Sequence, residues 1–309
     1  MTSSESSPKT ADKLTAALLL LLPTRLISYL TYRLAHLKTL WIKTPLNQLF
    51  IWLYNVDLAQ AERRDPKQYA SFNDLFTRAL CPQARPLPKS HTTIISPCDG
   101  TISAIGQLSR NQLIQAKGVT YSMAELMGAL HEPRLINGMF ITIYLSPRDY
   151  HRIHAPIQGK LIACQHIPGR LLTVSPAAVR AIPKLYVRNE RLVTIWQTQV
   201  GPIAIIPIGA LNVGSIETVW ASELCQNDNK AFSPLHEQPS ASHGNHSSNA
   251  ISSRSDKPVY VHELSRGDEL GRFNLGSTVI MILPQGKVSW QPDLEAGSQV
   301  LMGQALGEP

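Results

Sequence analysis

The hydrophobic rhythm of the chain changes twice. In residues 14–54, Leu26, Ile27, Leu30, Leu34, Leu37 and Trp41 recur at steps of three and four, which predicts helix with a single apolar stripe. Residues 55–90 read as a helical connector in which Ser71 is an N-cap with Asp74 at the third position, and Pro82, Pro86 and Pro88 end regular helix. From Thr92 to Val219 the rhythm becomes that of strands. Short apolar runs end in turn residues at Thr92–Ile95, Thr101–Ile105, Met139–Leu145, Lys160–Cys164, Val193–Gln197 and Ile203–Ile208. Helices are predicted at Ser122–Leu130 and around Ala177–Ala181. Residues 226–257 are rich in Ser, Asn and His and interrupt the pattern. Strand texture resumes at Pro258, and Ser277–Leu283 is a strong apolar strand closed by the turn Pro284-Gln285-Gly286. The expectation is an α+β fold: N-terminal amphipathic helices, then a β-rich body. It divides into a polar, disordered 1–13, a helical 14–90 and a β-rich 91–309 carrying the 226–257 insertion.

Composition narrows the class. With 43% hydrophobic and 17% charged residues, the 309-residue chain can bury a core and is not globally disordered. The net charge of +7 is uneven. Residues 1–54 carry Lys9, Lys13, Arg25, Arg33, Lys38 and Lys43 against Glu5 and Asp12 alone. A basic excess suits nucleic acid or anionic lipid. Here it lies among apolar residues with Tyr29, Tyr32, Trp41, Trp52 and Tyr54, which favours a lipid surface over nucleic acid. Pattern alone leaves equal room for helices packed on the body. The run Leu14–Leu22 is well short of the roughly 20 residues that span a bilayer, and no small-residue cleavage site follows it. Cys81, Cys98, Cys164 and Cys225 form no CxxC pair, so neither a zinc site nor a disulfide framework is expected, and a reducing compartment is. His236, His243 and His246 in the insertion read as part of a disordered surface segment rather than a metal tract.

Three short stretches could carry chemistry. Ser96-Pro97-Cys98-Asp99-Gly100 is either a tight hairpin turn or a turn that presents Asp99 to a histidine. In Tyr144-Leu145-Ser146-Pro147-Arg148-Asp149-Tyr150-His151-Arg152-Ile153-His154-Ala155-Pro156, ionisable side chains crowd in directly after an apolar strand. The His151/His154 pair lacks the glutamate and third ligand of a zinc site, which leaves acid–base work or a plain surface loop. In Leu275-Gly276-Ser277-Thr278 a glycine leaves the carbonyl before a serine unshielded and lets the turn strain, as attack by that serine on its own preceding carbonyl requires. Gly-Ser also occurs at 214–215 and 297–298, so the pair alone means little.

Taken together, these stretches resemble the phosphatidylserine decarboxylases of the bacterial, membrane-bound type. The resemblance runs from about residue 14 to the end, apart from 226–257. It rests on Phe72-Asn73-Asp74-Leu75-Phe76-Thr77-Arg78, Asp99-Gly100, Gln115-Ala116-Lys117-Gly118 with Tyr121-Ser122, Leu145–Pro156, Arg188-Asn189-Glu190-Arg191, Val213–Trp220 and Phe273–Ile280. It implies self-cleavage between Gly276 and Ser277 into chains 1–276 and 277–309. Ser277 would become a covalent pyruvoyl (pyruvate) cofactor that takes the substrate amine as a Schiff base. Asp99, His154 and Ser277 would form the cleavage relay, with His151 serving decarboxylation and protonation. The implied substrate is phosphatidylserine and the product phosphatidylethanolamine, within phospholipid biosynthesis. The implied place is the cytoplasmic face of the cell inner membrane, peripherally bound on anionic lipids, with a homodimer also suggested. The body would be related to barrel-sandwich hybrids, and Ala296–Leu306 reads like a biotinyl or lipoyl half-motif. One rival reading is a self-activating serine peptidase. Another is a non-enzymatic membrane adaptor with a biotinyl-like tail, although the tip Met302-Gly303 offers no lysine to modify.

Overall fold

The computed structural model describes residues 23–116, 119–130, 132–211, 216–220, 231–232, 250–251, 259–260, 262–274 and 277–309. The polar terminus 1–13, the Leu14–Leu22 run, the histidines of the insertion, nearly all of 226–257, Cys225 and Gly276 lie outside them.

Two helices open the chain, α1 (Thr24–Ala35) and α2 (Leu40–Tyr54). The break between them corrects the reading of one continuous stripe, because Leu37 and Trp41 do not share a helix with Leu26 and Leu30. The connector is mostly irregular, which corrects the helical reading of 55–90. Among its described residues the α-helix is the five-residue α3 (Phe72–Phe76), capped as expected by Ser71 Oγ accepting from Asp74 N at 3.2 Å. Elsewhere the Asp57 side chain accepts from Ala59 N, an arrangement that competes with helix, and Asp65 caps only a three-residue 3-10 turn, Pro66–Gln68.

Strands follow in order: β1 (Ile94–Ile95), β2 (Gly100–Gln107), β3 (Gln112–Ala116), β4 (Val119–Ser122), β5 (Met139–Leu145), β6 (Arg152–His154), β7 (Gly159–Ile167), β8 (Arg191–Thr198), β9 (Gly201–Gly209) and β10 (Ile216–Thr218). Then come the short pieces β11 (Ala231–Phe232), β12 (Ala250–Ile251), β13 (Val259–Tyr260) and β14 (Glu263–Leu264). β15 (Glu269–Phe273), β16 (Ser277–Leu283), β17 (Ser289–Trp290), β18 (Gln299–Val300) and β19 (Ala305–Glu308) complete the set. Short helices occur at Met123–Met127, where Ser122 and Glu125 form a capping box, at Pro176–Ala181 and at Leu185–Arg188.

The main sheet is antiparallel in the order β11-β7-β8-β9-β16-β5-β2-β18, with β14 also on β7, and it does not close into a barrel. β16 sits inside it between β9 and β5, and all seven of its residues are buried. Val279, Met281 and Leu283 join the core on one face, and Ile280 and Ile282 join the core on the other. A strand covered on both faces has no polar alternation to show, which is why Ser277–Leu283 reads as a continuous apolar run. A smaller sheet, β10-β15-β6, carries the chain past His154 and on toward Ser277.

Candidate active site

Ser277 is the first residue of β16 and pairs with Leu145 on one side and Gly209 on the other. It is 1% exposed, and its Oγ has no hydrogen-bond partner among the described residues. A buried hydroxyl without a partner costs free energy.

The partner strand β5 ends at Leu145 and runs straight into the Ser146–Tyr150 turn that delivers both histidines. Asp149 Oδ2 accepts from Ser146 N at 2.7 Å and closes this turn. The stretch is an interior element, not a surface loop, since Tyr150, His151 and His154 are all buried. His151 Nδ1 lies 2.9 Å from the Asp149 carbonyl oxygen, so that nitrogen carries the hydrogen. Its Nε2 therefore bears the lone pair, buried and without a partner among the described residues. The Phe76 ring lies 4.0 Å from the imidazole. Complete burial, with help from the Arg78 charge, pushes the His151 pKa down to about 3.

His154 is held at both ring nitrogens. Nδ1 donates to the Gly267 carbonyl at 2.8 Å, which leaves Nε2 to accept from the Tyr150 hydroxyl at 2.9 Å. The two rings stack at 5.6 Å with 29° between planes. Burial lowers the His154 pKa and raises that of Tyr150. Both groups are thus neutral at pH 7.

Asp99 is engaged elsewhere. One carboxylate oxygen pairs with Arg85 at 2.7 Å, both side chains nearly buried, and the other accepts from Met302 N at 2.7 Å. The Ser96–Gly100 segment touches His154 through its backbone, His154 N donating to Pro97 O at 2.8 Å. Asp99, His154 and Ser277 are therefore carried by adjoining segments, but in this uncut chain they do not form a hydrogen-bonded relay. Gly100 begins β2 rather than turning a hairpin. A Cβ there would collide with the Tyr144 carbonyl oxygen, so close packing of β2 on β5 requires glycine. The C-terminal stretch that reads as a biotinyl half-motif uses its turn to hold Asp99 and Ser96, with Gly303 at φ +89° supplying the bend. Among the described residues no cluster of His, Cys, Asp and Glu suits a metal ion.

Comparison with known proteins agrees with this site. The family model described as phosphatidylserine decarboxylase matches residues 72–308, and a second model, described as PSD, matches 14–55. The phosphatidylserine decarboxylase proenzyme of Halorhodospira halophila is 51% identical over 98% of this chain and 96% of its own. The proenzymes of Nitrosococcus oceani and Alkalilimnicola ehrlichii are 42% and 45% identical over 93% and 90% of this chain and 89% and 91% of their own. The chain belongs to the phosphatidylserine decarboxylase family. It is accordingly a decarboxylase, and the matched region contains every catalytic candidate named from the sequence.

Several groups at this candidate site carried no assignment from sequence: Tyr150 on Nε2 of His154, Arg85 on Asp99, and Arg78 beside His151. Tyr150 and Arg78 both stand inside the stretches that carry the resemblance. Their presence was legible, but which neighbour each would meet was not.

Proposed function

We propose that the chain is a proenzyme that cuts itself before Ser277, carries the resulting pyruvoyl group at position 277, and decarboxylates phosphatidylserine to phosphatidylethanolamine on a membrane surface. The observation that carries this reading is the Ser277 hydroxyl, buried and unpartnered at the start of the central strand, in a chain whose relatives are named proenzymes. The surroundings fit such a group. Thr278–Ile282 are paired on both sides, on strands that do not include the bond before Ser277.

Cleavage begins when Ser277 Oγ adds to the Gly276 carbonyl carbon and the amide nitrogen departs, giving an ester. His154 is the base for this step. Its Nε2 lone pair becomes free when the Tyr150 hydroxyl turns away. Loss of the Ser277 α-proton expels Gly276 as a carboxylate. Addition of water and loss of ammonia then leave the keto group at position 277. Asp99 keeps the Ser96–Gly100 segment, and with it His154 N, in place.

The pyruvoyl ketone supplies an electron sink for the carbanion left when carbon dioxide departs. The protein supplies proton traffic and a dry setting. A substrate amine arrives as an ammonium and must lose a proton before it can act as a nucleophile. That proton passes to solvent before the amine enters; His151, whose Nε2 lone pair is free of any partner among the described residues, is placed to relay a proton to carbon after carbon dioxide leaves.

The N-terminal helices bring this site to lipid from the cytoplasmic side of the inner membrane. Phe50 of α2 meets Phe72 at 4.9 Å and Phe76 at 5.9 Å, and Phe76 meets His151, so a chain of rings joins the helix pair to the site.

Intact mass spectrometry tests the core of the proposal. Purified protein should give chains 1–276 and 277–309, the smaller with an N-terminal pyruvoyl. Ser277→Ala should stay one chain and lose activity by roughly 10⁴-fold or more, as when a covalent catalyst is removed. His154→Ala should remain uncut, whereas His151→Ala should be cut yet turn over about 10²-fold or more slowly. An intact 309-residue chain that decarboxylates phosphatidylserine would falsify the reading, and an unmodified Ser277 with peptide hydrolysis in trans would make it a peptidase.

A further inference from the structure

Arg78 is a charge without a counterion. It follows α3, is 4% exposed, and makes no ion pair among the described residues. Only Nη2 is engaged, donating to the Arg148 carbonyl at 2.8 Å and more weakly to that of Asp149 at 3.3 Å. Nε and Nη1 are buried with no partner among the described residues. The carboxylates in the neighbourhood are already occupied: Asp99 by Arg85 and Met302 N, Asp74 by Arg63, and Asp149 by Ser146 N. A buried guanidinium with two idle nitrogens is expensive unless an anion completes it.

The position is telling. Arg78 Nη2 and His151 Nδ1 converge on one atom, the Asp149 carbonyl oxygen, from 3.3 and 2.9 Å. Each then has a free, buried nitrogen left over: Nε and Nη1 on Arg78, Nε2 on His151. Both side chains are thus anchored on one peptide, each with a nitrogen to spare.

We infer that Arg78 is the oxyanion anchor for the substrate headgroup, seating it with its amine toward His151; this rests on the decarboxylase reading above. A guanidinium edge suits two oxygens of a phosphodiester or of a carboxylate, and both occur in this headgroup. Chemistry favours the phosphodiester. Pairing the departing carboxylate would stabilise the ground state and oppose loss of carbon dioxide, whereas the phosphodiester keeps its charge throughout. Binding that is uniform along the reaction appears in KM and not in kcat.

The test uses full-length Arg78→Gln and Arg78→Lys, with the mass of the small chain confirming the cofactor in each. Two arms are run: turnover of phosphatidylserine in mixed micelles, and borohydride trapping of phosphatidylethanolamine on the small chain, read by mass. For Arg78→Gln we expect normal self-cleavage and a KM raised roughly tenfold or more at near-constant kcat, the loss typical of a charge-assisted bond. Arg78→Lys should fall between it and the wild type. Trapping of phosphatidylethanolamine, which has the phosphate but no carboxylate, should fall in parallel. If trapping stays normal while phosphatidylserine turnover drops, the anchored group is the carboxylate. Wild-type KM and trapping in Arg78→Gln overturn the assignment, and so does failure of both variants to mature, which would make Arg78 structural. A wild-type small chain lacking the pyruvoyl mass would instead sink the cofactor reading.

Discussion

His151 illustrates how one residue links burial, chemistry and stability. Its ring is fully buried against Phe76 and beside Arg78, and its pKa falls from the usual 6.5 to about 3. The folded chain therefore refuses a proton that the unfolded chain accepts between about pH 3 and 6.5. Stability from this source is complete above about 6.5 and declines as pH falls through that window, by up to about 1.4 kcal/mol per pH unit for one proton. His154, also lowered by burial, acts in the same direction. Urea unfolding of the uncut Ser277→Ala chain between pH 7 and 5 should show this decline, and adding His151→Phe should remove about one proton's worth of slope. An unchanged slope would mean that His151 is solvated in the folded chain.

At the scale of elements, α1 and α2 are turned inside out. The buried positions of α2 are Lys43, Asn47 and Phe50, spaced at four and three, while Trp41 is 90% and Trp52 78% exposed, with Leu49 and Leu53 beside them. In α1 the buried positions are Thr24, Ser28 and Ala35, and Leu26, Tyr29, Leu30 and Leu34 lie outside. The helices thus do pack on the body, but with their more polar faces. Lys43 is spent in that packing, donating to the carbonyls of Tyr69 and Lys67, and is subtracted from the basic residues available to lipid. No helix of the described residues is long and apolar enough to cross a membrane. An outward face of Leu, Tyr and Trp is suited to lie in the interface of a bilayer, with aromatic rings at headgroup depth. Liposome flotation should show binding that weakens with salt without vanishing, because only the Lys and Arg share is screened. Replacing Trp41 and Trp52 together by Ser should reduce the salt-resistant part at least about tenfold. Full flotation of that variant, accompanied by a smaller particle in solution, would assign the face to a second copy of the chain instead.

For the molecule as a whole, the position of the proposed cut matters more than its chemistry. The proposed small chain, 277–309, begins with β16, which keeps seven residue pairings to β5 and six to β9. It also includes β18 and β19, which pair β2 and β1, and Met302, whose N–H holds Asp99. After cleavage it would remain the middle of a sheet made by the larger chain. The two chains should elute as one particle from a native sizing column and part only in denaturant. Free small chain under native conditions would show that the cut chain repacks.

The sequence by itself determined the order of helical and β-rich regions, the strong β16 strand and the Ser71 cap, because these depend on side-chain period and on contacts within four residues; it over-read helix in 55–90. It also marked Asp99, His151, His154 and Ser277, through the resemblance of their motifs to one family rather than through local pattern, which left each of them with a plain structural reading. Their partners were beyond its reach. That Tyr150 rather than Asp99 meets His154 in the uncut chain, that Arg78 and His151 share one carbonyl, and that α2 buries Lys43 while exposing Trp41 are decided by contacts between segments. Arg78 and Asp149 stand 71 positions apart, and Met302 and Asp99 stand 203 apart. Amphipathic period reveals that a helix has two faces, but only the packed body determines which of them is turned inward.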